Sequence, residues 1–73
     1  MKYPRGILFV LIRLESFGVL DLWRDGETVA VLYPQGLALE RIEWAERVIK
    51  RNTKLLLKWL PKRPRKMLKI TLE

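Results

Sequence analysis

The sequence predicts a single α+β domain, and three observations predict it. A continuous apolar run opens the chain at Ile7–Ile12, as in a strand covered on both faces. Two turn signals follow at hairpin spacing, Ser16-Phe17-Gly18 and Asp25-Gly26. Beyond Pro34 the apolar residues switch to helical spacing, at Ile42, Ala45, Val48 and Ile49. The expected order is β-β-β-α-β, with a further terminal strand, in a mixed or antiparallel sheet.

The first strand is expected over Ile7–Leu14 and the second over Val19–Arg24. In the loop between them Gly18 takes the left-handed position, which sets Arg13 opposite Asp21 as a cross-strand ion pair. The Asp25-Gly26 turn sets Arg24 opposite Glu27 and Leu22 opposite Val29, and the third strand covers Thr28–Tyr33. One face then carries Val10, Ile12, Leu14, Leu20, Leu22, Val29 and Val31, a core face. The other carries Phe9, Leu11, Trp23 and Leu32, and needs a cover of its own. A homodimer through those four residues is the economical cover.

The main helix is expected over residues 37–51. Glu40, Glu43 and Glu46 crowd its start, while Arg47, Lys50 and Arg51 crowd its end, the order that suits the helix macrodipole. Residues 53–60 admit two readings. The apolar stripe continues through Leu55, Leu56, Trp59 and Leu60, so the helix can run on to about residue 60. Such a helix is about 36 Å long, against the roughly 30 Å span of a compact chain of this size. It also stacks like charges four apart, as at Lys50–Lys54 and Lys54–Lys58. The favoured reading ends the helix near Asn52 in a left-handed cap, makes Lys54–Leu60 a fourth strand and Met67–Leu72 a fifth, and leaves a basic loop from Lys62 to Lys66.

Composition closes off several kinds of chemistry. The chain has no Cys and no His, and Ser16 is its one serine, so Ser-His and Cys-His nucleophiles and thiolate metal sites are excluded. No cofactor and no small-molecule substrate are indicated, and enzymatic activity is not expected. Asn52 and Gln35 are the single amides amid many Lys, Arg and Glu, a bias of thermophilic sources. The run at Ile7–Ile12 is too short to cross a bilayer. Lys2 and Arg5 precede it as in a signal peptide, but Arg13, Glu15 and Asp21 follow too soon and no small-residue cleavage site appears. A cytoplasmic protein without a membrane partner is expected.

Charge is the strongest functional signal. Residues 1–46 carry five basic and seven acidic side chains, whereas residues 47–73 carry ten basic and one acidic. A block of this kind repels itself unless a polyanion lies nearby. Lys50, Arg51, Lys54, Lys58, Lys62, Arg63, Arg65, Lys66 and Lys69 are therefore the candidate nucleic-acid contacts. Arg63 and Arg65, in a loop bounded by Pro61 and containing Pro64, suit a groove or a bent backbone. Trp59 lies amid this charge, either stacking on a base or, between its flanking leucines, buried. The alternatives are a homo-oligomeric interaction module and a degenerate or minimal nuclease.

The nuclease alternative comes from a resemblance. Phe-Val-Leu-Ile-Arg at 9–13, Val-Leu-Asp-Leu at 19–22 and the stretch from Asp25 to Pro34 resemble the core of the PD-(D/E)XK nuclease fold, most closely that of archaeal Holliday-junction resolvases. The likeness covers residues 9–72 and lacks the family's N-terminal helix. It implies that Asp21 is the counterpart of the metal-binding aspartate. The family's Glu-X-Lys signature is missing, with Leu32, Tyr33 and Pro34 in its place. That signature would complete a Mg²⁺ site and orient the attacking water.

Overall fold

The computed structural model describes residues 3–62 of the chain. The order is α1 (Arg5–Ser16), β1 (Asp21–Asp25), β2 (Thr28–Leu32), α2 (Leu39–Arg51) and α3 (Thr53–Trp59). The class is α+β as expected, but the sheet is a single antiparallel hairpin and the helices number three among the described residues. The expected strand Met67–Leu72 lies outside them.

The first correction falls on residues 7–14, which are helix and not strand. Ile7, Val10, Leu11 and Leu14 are buried, a helical i, i+3, i+4, i+7 stripe. Phe9 and Ile12, also apolar, stay exposed. Because every residue from 7 to 12 is apolar, the run itself carries no period, and packing decides. Pro4 stands at the N-cap, where its missing N–H costs nothing, and its carbonyl accepts from Leu8 N–H.

The end of α1 explains the misread hairpin loop. Gly18 takes φ +106°, as the turn signal required. Its N–H donates to Glu15 O at 2.9 Å, and Val19 N–H donates to Leu14 O at 3.1 Å. This is a Schellman motif, and its accompanying hydrophobic pair is Leu14 and Val19, both buried. The positive-φ glycine was legible; what it terminates is a helix. Arg13 consequently lies on the exposed side of α1 with its guanidinium 5.9 Å from the Phe17 ring centroid, and it is not a cross-strand neighbour of Asp21.

The β1–β2 hairpin is present with a register two residues from the expected one. Leu22 faces Val31, Arg24 faces Val29, and Asp25 faces Thr28. The two-residue loop is Gly26-Glu27, with Gly26 at φ +64° in the first central position, as a type II′ turn requires. A slip of two keeps every side chain on its face, so Leu22, Val29 and Val31 still share the core side. Arg24 loses its pairing with Glu27. It donates instead from Nη1 to Leu57 O at 3.3 Å, on one of the open carbonyls that end α3.

Residues 53–60 are not a strand, and neither does α2 run through them. A continuous helix from 37 to 60 would measure about 36 Å, more than the molecule's longest extent of 32 Å. The chain resolves this with a one-residue break. Asn52 sits at φ −117°, not in the left-handed cap that the sequence suggested. Its Nδ2 donates to Val48 O at 2.8 Å, and Thr53 Oγ1 donates to Ile49 O at 2.9 Å and Lys50 O at 3.1 Å. The Val48 and Ile49 carbonyls also accept from Asn52 N–H at 3.1 Å, so the side chains add second bonds to the last turn of α2. Helix then restarts, with Leu56 N–H donating to Asn52 O. Just past α3 the backbone bonds to the sheet, where Arg24 N–H donates to Pro61 O at 2.6 Å.

The three helices pack on one another, and α3 packs on β2. Ile7, Leu14, Leu22, Ala45 and Leu56 are the best-buried apolar members of the shared core. Among the described residues no helix is long and apolar enough to cross a membrane.

Candidate functional site

α2 presents two different flanks. Toward the sheet it carries Glu43, Glu46 and Lys50; toward α1 it carries Trp44, Val48 and Arg51; Arg47 stands at the edge and lines both sides. The division follows from spacing. Trp44, Arg47 and Arg51 stand at i, i+3 and i+7, neighbours along one flank, while Ala45 and Ile49 bury the face between.

On the α1 side a hollow of about 280 Å³ lies between the two helices, lined by Arg13, Phe17, Trp44, Arg47, Val48 and Arg51. The Phe17 and Trp44 rings lie 5.7 Å apart, inclined at 56°. Three guanidiniums meet two aromatic rings there, and no carboxylate lines the hollow. Its α1 wall is secured at the helix end. Arg41 Nη1 donates to Ser16 O at 3.4 Å, and Ser16 Oγ donates to Arg13 O at 2.6 Å.

A second, shallow hollow lies at the joint between α2 and α3, lined by Lys50, Arg51, Asn52, Thr53, Lys54 and Leu55. Arg51 lines both hollows. Of the expected nucleic-acid residues, Lys50, Arg51 and Lys54 therefore come together. Lys58 stands apart, its ammonium 5.9 Å from the Trp59 ring centroid. Lys62 is exposed just past α3. Arg63, Arg65, Lys66 and Lys69 lie outside the described residues.

Trp59 is half-buried, edge-on to Tyr3 at 6.2 Å. The indole beside the arginines is Trp44, which the sequence reading passed over along with Arg13, Phe17 and Arg47. Half of that cluster had a local signal, the i, i+3, i+7 spacing of Trp44, Arg47 and Arg51. The other half had none, because Arg13 and Phe17 were assigned to a hairpin.

The residues expected to form a dimer face do not share one. Phe9 is exposed on α1, and Leu11 is buried in the core. Trp23 and Leu32 are half-buried on the hairpin. The correction follows directly from residues 7–14 being helix, since Phe9 and Leu11 were placed by strand alternation.

Asp21, the metal-site candidate of the nuclease resemblance, opens β1 and is 1% exposed. Its Oδ1 accepts from Leu22 N–H at 2.8 Å. Among the described residues no group of three or more carboxylates could hold a metal ion. The stretch 9–13 that resembled the family's first strand is helical.

A larger cleft of about 800 Å³ lies on the other flank of α2, between β2 and the helix, with Val29, Val31 and Ile49 at its base and charges of both signs around it. Tyr33 lines it and has a buried hydroxyl without a hydrogen-bond partner among the described residues. Burial, and secondarily the negative charge of Glu46, push the Tyr33 phenol above its usual range.

No family model, no curated protein and no solved structure matches this chain.

Proposed function

We propose that the protein is a non-catalytic nucleic-acid-binding protein that holds the phosphate backbone through the basic surface of α2 and α3. The observation that carries the reading is that Arg51 lines both hollows. Arg13, Arg47, Arg51, Lys50 and Lys54 form one band of cations, with no carboxylate among the residues that line it. Of the acidic residues of α2, Glu43 and Glu46 line the cleft on the sheet side together with Arg47 and Lys50, and Glu40 lies in the first turn. The cations gathered at the C-terminal end of α2 and the start of α3 give a polyanion a face to approach. The mostly sequence-independent phosphate term then supplies the affinity. A cytoplasmic location belongs to the same reading.

The test is titration of labelled duplex DNA, single-stranded DNA and RNA at several salt concentrations. Log affinity is expected to fall linearly with log salt, by about 0.9 per phosphate contacted on duplex DNA. Replacing Lys50, Arg51 and Lys54 with Ala should weaken binding and flatten the slope by about 2–3. Absence of binding to all three at low salt overturns the reading.

A further inference from the structure

We infer that the hollow between α1 and α2 is a stacking site for one unpaired nucleobase, with Trp44 as the platform, so that the preferred ligand is single-stranded nucleic acid. The inference rests on the proposed phosphate-binding function and names the ligand class of the same surface.

The phosphate reading accounts for the three arginines of the hollow but gives no role to its two rings. Trp44 is 38% exposed, a large indole surface left open on an otherwise charged flank. It is not a loose side chain, because Phe17 supports it at 5.7 Å and the Arg13 guanidinium lies 5.9 Å from the Phe17 centroid on that support. Phe17 is itself fixed at the helix end, its N–H donating to Arg13 O and Leu14 O. An indole held in place and exposed among cations is the arrangement that single-strand binders use. Bases stack on the ring while the cations follow the backbone, and every base offers a face, so the contact tolerates any sequence.

Size and spacing agree. At about 280 Å³ the hollow falls just under the ~300–1,000 Å³ of pockets that enclose a drug-sized ligand, which suits one base. Arg47 and Arg51 follow Trp44 along the same flank of α2, about 6 Å from each other along the helix axis. That step is comparable to the separation of successive phosphates on an extended strand. A base against Trp44 thus leaves the adjoining phosphates over Arg47 and Arg51, and the strand continues toward Lys50 and Lys54. A duplex cannot use the site, since its base faces are already stacked.

The test compares a short oligothymidylate, an abasic oligonucleotide of the same length and charge, and a duplex, each against the wild-type chain and Trp44→Ala. Wild type should bind oligothymidylate about 5- to 100-fold more tightly than the abasic strand. Trp44→Ala should lose that preference while keeping the wild-type salt slope, and Trp44→Phe should restore most of it. Arg47→Ala and Arg51→Ala should each flatten the slope by about 0.7 on a single strand. Emission from a variant with Trp44 as the sole tryptophan, made by Trp23→Phe and Trp59→Phe, should be quenched by oligothymidylate and not by the abasic strand. Equal wild-type binding of normal and abasic strands overturns the stacking site but leaves phosphate binding standing. Failure to bind any nucleic acid at low salt overturns both. Poly-glutamate bound as tightly as oligothymidylate, with the same quenching, overturns the base in favour of an acidic peptide. The abasic comparison needs no variant, so it decides the matter even where a substitution impairs folding.

Discussion

Gly18 and Leu37 approach so closely that a Cβ on Gly18 would lie 2.7 Å from Leu37 Cδ1. Position 18 therefore carries two separate demands, a φ of +106° and an absent side chain. Gly18→Ala should cost about 1–3 kcal/mol, lowering the melting temperature by roughly 5–20 °C. Gly26 offers the control. Its φ is +64° with nothing within 4 Å of an added Cβ, so Gly26→Ala should show the backbone cost alone. The double variant Gly18→Ala, Leu37→Ala should recover the contact part, read as a coupling in chemical denaturation.

Tyr33 should reveal itself at alkaline pH. Its phenol is held above the usual range by burial and by Glu46. A group whose folded value is raised contributes stability that is complete below the unfolded value of about 10 and is lost as pH climbs through the folded one. Tyr33→Phe should therefore be neutral, or stabilising by up to about 1 kcal/mol, at pH 7, since it removes a buried hydroxyl that has no partner among the described residues. Its advantage over wild type should widen above about pH 10. Urea midpoints of the two chains across that range make the measurement, and a constant difference would reject the assignment.

Phe9 and Leu11 stand two positions apart and should respond in opposite ways. Leu11 is 8% exposed, and Glu there places a charge in the core at a cost of about 3 kcal/mol or more. Phe9 is 65% exposed, and Phe9→Glu should change stability by no more than about 0.5 kcal/mol. A strand at residues 7–14 would make the two respond alike, because residues two apart on a strand share a face. Thermal melts distinguish the cases.

Asp21 should matter to stability and not to catalysis. Duplex or branched DNA incubated with Mg²⁺ or Mn²⁺ is expected to stay intact, because Leu32, Tyr33 and Pro34 occupy the place of a Glu-X-Lys signature. Asp21→Ala should cost about 1–3 kcal/mol through the buried Leu22 N–H that its Oδ1 now accepts. Metal-dependent cleavage that vanishes in this variant would revive the nuclease resemblance.

The errors of sequence reading have physical causes that can be named. The start of α2, the hairpin and the positive φ of Gly18 were all legible, because each has a local signal in charge order, turn chemistry or glycine. Residues 7–14 were not, since a uniformly apolar run fits strand and helix equally until the packing partners are known. At 53–60 length and the stacking of like charges four apart argued against one continuous helix. Breaking at Asn52 and restarting as helix met the same limit as turning into a strand would have. Lys50, Arg51 and Lys54 were plain in the sequence, and Arg13 was not. The pairing of Phe17 with Trp44 was not, because it joins two helices whose relative placement depends on the whole core.

The break at Asn52 also bears on the energetics of recognition. Hydrogen bonds from Asn52 and Thr53 back onto Val48, Ile49 and Lys50 splint the junction from inside, so α2 and α3 meet at an angle that folding itself sets. Lys50 and Lys54, on either side of the splint, are carried on backbone already ordered in the free protein. Much of the entropy that a flexible basic tail forfeits on meeting a polyanion has therefore been lost before the encounter. Each such cation surrenders only its own rotamers, about 0.5–1.5 kcal/mol per immobilised side chain. A short, preorganised band can thus hold a backbone that a longer unstructured run of the same charge would grip more loosely.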